Sequence, residues 1–266
     1  MRKSKYQKIM PVAMIVITLL FFYLPIILMM VFSFNSSRSL TSWSGFSLQW
    51  YQNLFKDRDI ISAVTTTVSI AVISTVISTI VGTISAIGIS NSKPILKEVI
   101  LTINNLPILN PDIVTAIGLM LLFSSMSIDK GFLTMLLAHI AFCIPYVILS
   151  VLPKLRRLDA NIAEAALDLG ATPWQALIKV IVPQIMPGII SGALIAFTMS
   201  FDDFVISYFV TGNGVKNISI LVYTMSKRIN PTINALSTIM IVIVTIILIV
   251  INIIPLFKKK ERTVLE

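Results

Sequence analysis

The sequence is short of charge. Only 12% of its 266 residues are Asp, Glu, Lys or Arg, whereas an ordinary soluble domain carries about 25%. The charges that are present lie at the ends of long uncharged runs, which excludes a typical soluble domain and favours a membrane protein. The net charge of +9 does not indicate nucleic acid, because the basic residues flank apolar runs. Lipid head groups and membrane topology account for them.

Cysteine and histidine are almost absent. The chain has one of each, Cys143 and His139, so an intramolecular disulfide is excluded and the redox compartment stays open. The two residues lie one helical turn apart in an apolar run. Since two lone ligands make a poor metal site, we predict that they pack in a core and bind no metal.

A phosphate-binding loop is also missing. The pattern G-x-x-x-x-G-K-[ST] occurs nowhere in the sequence, and this pattern cradles the phosphates in P-loop ATPases. We therefore expect a chain that is not an enzyme and that binds no cofactor of its own.

Apolar residues fill the sequence instead, at 56% of the total. Six runs are long enough to cross a bilayer, which takes about 20 apolar residues. The sequence therefore predicts an all-α membrane protein with six transmembrane helices. The only formal charges inside these runs are Asp112, Asp202 and Asp203. The predicted spans cover residues 9–34, 60–92, 99–128, 131–153, 186–210 and 231–257.

Lysine and arginine are distributed unequally between the two sides of the membrane. Fourteen lie in the N-terminus, two alternate loops and the tail, and seven lie in the other three loops. The richer side is cytoplasmic by the positive-inside rule. We therefore expect a basic cytoplasmic N-terminus at 1–8, a transmembrane domain at 9–257 and a basic cytoplasmic tail at 258–266. Two roles stay open for the outer segment 213–230: a docking surface for an external protein and a re-entrant gate.

Two of the spans carry polar patterns. In the second span, small residues recur every four positions beside a stripe of threonines, which suits either close helix packing or the lining of a polar pathway. In the third span, Pro107 and Pro111 disfavour a continuous helix, and irregular backbone at membrane depth needs protein or water around it. We predict a broken helix there, with Asp112 either capping the helix start or meeting substrate. The patterned residues are Ser74, Ser78, Gly82 and Ala86, with Thr75, Thr79 and Thr83 beside them, and Asn104, Asn105 and Asn110 in the third span.

The long cytoplasmic loop at 153–185 predicts two short helices. The first covers 160–169, with Asp159 as its cap and Gly170 as the left-handed residue after its end. Thr172 caps the second helix and Pro173 takes its first position, while Pro183 and Pro187 end that helix before the fifth span. Glu164 offers a fixed charge on the first helix, and Ala165 and Ala166 allow another surface to approach closely.

This loop resembles the EAA loop of ABC-importer permeases, which have Ile and Leu where this chain has valine. The resemblance implies that the first loop helix docks on a separate ATPase subunit, which binds ATP and Mg²⁺. It also implies that a second permease subunit completes the pathway. The motif consists of Glu164-Ala165-Ala166, Gly170 and Val180-x-Val182-Pro183.

The acidic pair in the fifth span is unfavourable in lipid, because inserting two Asp near the bilayer centre costs roughly 5–7 kcal/mol of free energy. The pair must therefore face a bundle or water. Asp203 shares a small polar helix stripe with Ser200 and Ser207, so we predict that Asp203 faces the pathway. Asp202 then holds a neighbouring helix or serves the partner subunit, and a purely structural hydrogen-bond network is the alternative for the pair. An acidic pathway favours a cationic substrate, which Tyr208 and nearby phenylalanines can contact.

The run from Ser200 to Gly212 closely resembles the corresponding helix of spermidine/putrescine permease subunits. The resemblance implies a polyamine importer in the bacterial inner membrane, with two different permeases, paired ATPases and an external binding protein. Within that resemblance, the predicted pathway residues are Ser200, Asp202, Asp203, Ser207 and Tyr208.

Three other functions are alternatives to a polyamine importer. An ABC permease for another solute has the same loop without needing the acidic pair. An ion-coupled secondary transporter often shows an inverted repeat, which is not found here. An intramembrane aspartyl protease needs two aspartates that share a proton, whereas helical neighbours point apart.

Overall fold

The computed structural model describes residues 5–39, 41–159, 161–212, 214–226, 230–246 and 249, without the side chains of residues 5–9. These residues are nearly all helical, and their one β-bridge pairs Asn35 with Phe46. A single π-helical turn, Leu177–Ile181, lies between α8 and α9. The α-helices are α1 Lys5–Phe32, α2 Gln49–Lys56, α3 Arg58–Ser90, α4 Pro94–Leu109, α5 Asp112–Ser125, α6 Phe132–Leu155, α7 Ile162–Asp168, α8 Pro173–Ala176, α9 Val182–Phe201, α10 Val205–Val210, α11 Ile218–Ser226 and α12 Thr232–Ile246.

The predicted class, an all-α membrane protein, is confirmed. Four helical stretches are long and apolar enough to cross a bilayer, and the bent pair α4–α5 makes a fifth if it counts as one span. The sixth predicted span, 231–257, begins with α12 but extends beyond the described residues, as does the basic tail at 258–266. The count of six therefore stays a prediction. The four stretches are Met10–Phe32, Arg58–Ser90, Phe132–Leu155 and Pro173–Phe201.

The third span is broken, as predicted, but the break lies at Pro111, whereas Pro107 is inside α4. Helix α4 ends at Leu109, α5 begins at Asp112, and the two are bent by 106°. Asn110 and Pro111 between them have extended backbone, with ψ of 147° and 136°. Pro111 has no N–H to continue the helix, and it disfavours helical backbone at the residue before it.

The described chain falls into two compact units, and one of them combines the described parts of Met1–Ile60 and Val222–Glu266. Its first outer loop is organised by Asn35, whose side chain donates to two backbone carbonyls and accepts from the Ser44 N–H. The buried Trp50 donates its ring N–H to the Asn35 carbonyl at 2.7 Å. These bonds hold the loop without any regular sheet.

The other unit, Ile61–Leu221, is built around α6. Helix α9 packs along α6, and α10 packs against both α5 and α6. Val147 of α6 lies between two glycines: a Cβ on Gly82 of α3 would come within 2.7 Å of its Cβ, and one on Gly192 of α9 within 3.2 Å of its Cα. Both helices can approach α6 only because these positions carry no side chain, which is how membrane helices gain close packing.

Candidate coupling loop and acidic site

The predicted fifth span, 186–210, is not one helix. Helix α9 ends at Phe201 and α10 begins at Val205, so Asp202 and Asp203 stand in a break. The Asp203 carboxylate accepts the backbone N–H of Ile206 at 3.3 Å and that of Ser207 at 2.7 Å. A carboxylate that bonds to the first N–H groups of a following helix competes with helix continuation, which explains why the chain restarts here.

Asp203 points into the protein, and its side chain is 8% exposed. His139 Nε2 of α6 lies 3.5 Å from Asp203 Oδ2, and the side-chain amide of Asn217 donates to the Asp203 carbonyl at 2.8 Å. A buried carboxylate needs such partners, because an unpaired charge in the interior is strongly unfavourable.

The His139 ring joins the two sides of the break. Its Nδ1 lies 2.7 Å from Ser200 Oγ, before the break, and its Nε2 lies 2.9 Å from Ser207 Oγ, after it. Ser200 also bonds to Ser74 of α3 at 3.0 Å, and Asn217 donates to Ser207 at 2.9 Å. We call His139, Asp203, Ser200, Ser207, Ser74 and Asn217 the histidine network.

His139 and Cys143 are both buried, as predicted. No cluster of three metal-ligating side chains occurs in the described part of the chain. The bond between His139 and the acidic segment was not predicted from the sequence. A signal was available, since His139 and Asp203 lie at nearly the same depth below the outer ends of their predicted spans, and a lone histidine at membrane depth seeks a partner.

Asp202 and Tyr208 differ from the other predicted pathway residues. Both are exposed on the surface of this chain, Tyr208 by 45%. Aromatic pairs flank the break: Phe197 stacks on Phe201 at 5.5 Å, and Phe204 lies 5.4 Å from Tyr208. A carboxylate in a stretch rich in aromatic rings suits an ammonium group.

The five predicted pathway residues thus fall into two sets. Ser200 and Ser207 are buried with Asp203 in the histidine network, whereas Asp202 and Tyr208 reach the surface. The helical spacing from which Asp203 was predicted to face the pathway does not apply, because α9 ends before Asp203. The role of all five in transport stays a prediction.

Several buried polar atoms on α3 and α4 have no hydrogen-bond partner among the described residues. Buried polar groups normally find a partner in protein or water. Of the two roles open for the threonine stripe, this favours polar surroundings over dry packing. Asp112 begins α5 as an exposed residue, and no side-chain bond caps that helix. The unpaired atoms are Thr75, Thr79 and Thr83 Oγ1, Asn104 Nδ2 and Asn105 Oδ1.

The first loop helix, α7, is shorter than the predicted 160–169, and Ala160 lies outside the described residues. Asp159 does not cap α7; its carboxylate accepts the Asn161 N–H at 3.0 Å and turns the chain just before the helix. Gly170 ends the turn as predicted, with φ of +85° and its N–H donating to the Leu167 carbonyl at 2.9 Å. Only glycine adopts this backbone without a steric cost.

The second loop helix, α8, begins as predicted. The Thr172 hydroxyl accepts the Gln175 N–H at 3.3 Å, the Gln175 side chain accepts the Thr172 N–H at 3.0 Å, and Pro173 takes the first position. This reciprocal pair is a capping box.

The prediction that Pro183 and Pro187 end this second helix is wrong. The chain stays helical from α8 through the π turn into α9, with Pro183 in the first turn of α9 and Pro187 inside that helix. Pro183 stands in the first turn of α9, directly after the π turn, where a proline is tolerated because an N–H is not needed. Pro187 lies inside the helix, as prolines do in membrane helices.

The loop presents a mixed surface. Glu164 and Ala165 are exposed, Ala166 is half-buried, and Leu169 is 90% exposed beside Gly170. The first part of the motif, Glu164 to Gly170, therefore lies in one short and largely exposed stretch of the loop. An exposed leucine next to small residues and one acidic group forms a surface to which another protein can dock.

Solved structures define the fold class. The chain superposes on the crystal structure of a bacterial ABC transporter involved in the import of the acidic polysaccharide alginate, with a TM-score of 0.78 and 17% identity, covering 95% of this chain and 97% of that one. At this identity the likeness shows the fold alone.

Residues 78–257 match the family "Binding-protein-dependent transport system inner membrane component", and the chain belongs to this family. It is 37% identical over 236 residues to the putrescine transport system permease protein PotI of Escherichia coli K12, covering 83% of this chain and 82% of PotI. It is 36% identical over 248 residues to the spermidine/putrescine transport system permease protein PotC of the same strain, covering 91% and 92%. The chain is thus an inner-membrane permease component of an ABC importer, which excludes the secondary transporter and the intramembrane protease.

Proposed function

We propose that this permease component takes up polyamines such as spermidine and putrescine. The observation that carries the proposal is the exposed Asp202 carboxylate at the break between α9 and α10, in an otherwise apolar span. A fixed negative charge in a low-dielectric passage attracts cations and repels anions such as sulfate or phosphate. The polyamine permeases with similar sequences support the same substrate class.

The acidic residue and its aromatic neighbours suit the two parts of a polyamine. The carboxylate attracts an ammonium group, and rings such as Tyr208 contact the ammonium or the methylene chain between the nitrogens. This chain forms half of the pathway, and a second, homologous permease subunit supplies the other half. The unpaired polar atoms on α3 and α4 support a passage shared with water or with that subunit.

Transport is driven through the loop at 153–185. Helix α7, with Glu164, Ala165, Ala166 and Gly170 near its end, docks on a partner ATPase, which is present as a pair and binds ATP and Mg²⁺. The exposed Leu169 and the small side chains around it support this assignment. Both termini are cytoplasmic, and a polyamine-binding protein delivers the substrate on the outside. The outer segment 213–230 is the candidate docking surface for that binding protein, and its Lys227 and Arg228 lie outside the described residues.

The proposal is tested by uptake of labelled spermidine and putrescine in cells that lack this chain. The cells are complemented with the wild type or with the variant Asp202→Asn/Asp203→Asn, and membrane levels are matched by immunoblot. We expect the wild type to restore uptake and the variant to fail. If the wild type restores uptake of neither polyamine while its partner subunits are present, the substrate assignment is wrong and another solute must be sought.

A further inference from the structure

His139 occupies an unusual position for a core residue. It is the one histidine of the chain, it is 1% exposed, and both of its ring nitrogens are engaged. Its bonds reach Ser200 at the end of α9 and Ser207 in α10, so the ring bridges the helix break from a third helix. A side chain that only filled space would not need hydrogen-bond partners on both sides of the break.

The hydrogen-bond chemistry assigns each group a role. A carboxylate only accepts, so the nitrogen that faces Asp203, Nε2, carries a proton. Nδ1 shares a hydrogen bond with the Ser200 hydroxyl, which shares a second one with the Ser74 hydroxyl. The amide of Asn217 completes the arrangement by donating to the Ser207 hydroxyl and to the Asp203 carbonyl. Every member of the histidine network has a partner, which is what makes such a buried network stabilising.

The two aspartates differ because of this network. Asp203 is turned inward and held by His139 and by two backbone N–H groups. The chain leaves the helix at that point, and the adjacent Asp202 is left on the surface. We infer that His139 is a positioning residue: by holding Asp203 in the interior and bridging the break, it presents Asp202 to the transport pathway.

This inference rests on the proposed function only for the identity of the cation. The structural part of the inference is that a side chain at position 202 is accessible to water and one at position 206 is not. It also states that His139 maintains this difference. The native sequence makes this testable, because Cys143 is the only cysteine and is buried. In a Cys143→Ala background, a single introduced cysteine reports the accessibility of its own position alone.

The experiment labels such reporters in the complete transporter with a membrane-impermeant, quaternary-ammonium methanethiosulfonate. Intact cells and inside-out vesicles are both used, so that access from either side is counted. The reporters are Asp202→Cys, Ile206→Cys at a position with no exposure, and Ile190→Cys at an apolar position of α9 that is 53% exposed. We expect rapid labelling at 202 and almost none at 190 and 206, because a charged reagent does not enter lipid or a packed core. Labelling at 202 no faster than at 190 would show that Asp202 faces lipid or protein, and would overturn its place in the pathway.

The role of His139 is tested in the same reporters. With His139→Ala we expect labelling at 206 to rise by about tenfold, because a buried carboxylate that loses its side-chain partner makes local opening easier. His139→Gln, whose amide both donates and accepts, should restore slow labelling. Met135→Ala truncates another fully buried residue of α6 outside the histidine network, and should leave labelling unchanged. Equal effects of the two alanine variants, or no rescue by glutamine, would reduce His139 to ordinary core packing and overturn the inference. Labelling needs no transport, so the result stands even if polyamine uptake fails.

Discussion

The coupling loop and the acidic break both interrupt apolar helices, but they are held in different ways. In the loop, the interactions join near neighbours: Asp159 with Asn161, Thr172 with Gln175, and Gly170 with Leu167. At the break, they join distant parts of the chain, and the bond from Ser74 to Ser200 spans 126 positions. The bonds in the loop are short-range and leave much of α7 exposed. The break combines the local bonds of Asp203 with contacts from other helices.

This comparison predicts that substitutions at the two places will separate folding from transport. Changes in the histidine network should cost folding stability and change transport as a consequence. Changes at the tip of the loop should stop transport and leave folding intact. The following predictions are ordered by the expected loss of folding free energy.

The largest loss of folding free energy is expected for His139→Leu. It leaves the buried Asp203 carboxylate without its side-chain partner, and an uncompensated buried charge of this kind costs about 3–5 kcal/mol. Thermal unfolding of the purified permease in detergent measures the loss. The double variant His139→Leu/Asp203→Leu removes the unpaired charge and should recover part of the stability. A double variant as unstable as the sum of the two single variants would show that the pair does not interact.

A smaller loss is expected for Gly82→Ala. The new methyl group would meet Val147 at 2.7 Å, and overpacking of this kind costs about 1–3 kcal/mol. Gly88→Ala in the same helix is the matched control, because nothing lies within 4 Å of its added Cβ. Unfolding temperatures of the two variants should differ, with Gly82→Ala the lower. Similar temperatures would mean that α3 shifts freely against α6.

A local loss is expected for Gly170→Ala in the loop. The left-handed backbone at φ of +85° costs an alanine about 1–2 kcal/mol, although there is space for its Cβ. Hydrogen exchange of the amides at the end of α7 should accelerate, while exchange in α6 and α9 stays unchanged. Gly170→Asn should be tolerated, since asparagine enters this conformation more readily. Faster exchange in α6 would contradict a locally held loop.

The smallest loss of stability, with a complete loss of transport, is expected for Glu164→Lys. The side chain is exposed, so its replacement should hardly change the unfolding temperature, yet reversing its charge opposes docking of the ATPase. Co-purification with the ATPase and polyamine uptake are measured together, with Asp168→Lys as an exposed control on the same helix. Normal uptake by Glu164→Lys would remove the residue from the coupling surface.

Much of this architecture was predictable from short stretches of sequence. Long apolar runs identified the membrane helices, Asn110-Pro111 identified the break in the third span, and Gly170 and Thr172 identified the ends of the loop helices. Each of these features depends on bilayer thickness or on backbone chemistry within a few residues. The prediction from the prolines of the loop was wrong, because Pro183 falls in the first turn of α9 and Pro187 is tolerated inside that helix.

The acidic pair marks what only tertiary structure decided. The sequence by itself determined that two carboxylates in a membrane span must face protein or water, because lipid cannot solvate them. It did not determine which of them turns inward. That choice depends on His139 and Asn217, which reach the pair from elsewhere in the chain. Helical periodicity describes a helix that continues, whereas the carboxylate of Asp203 binds the backbone of a helix that restarts.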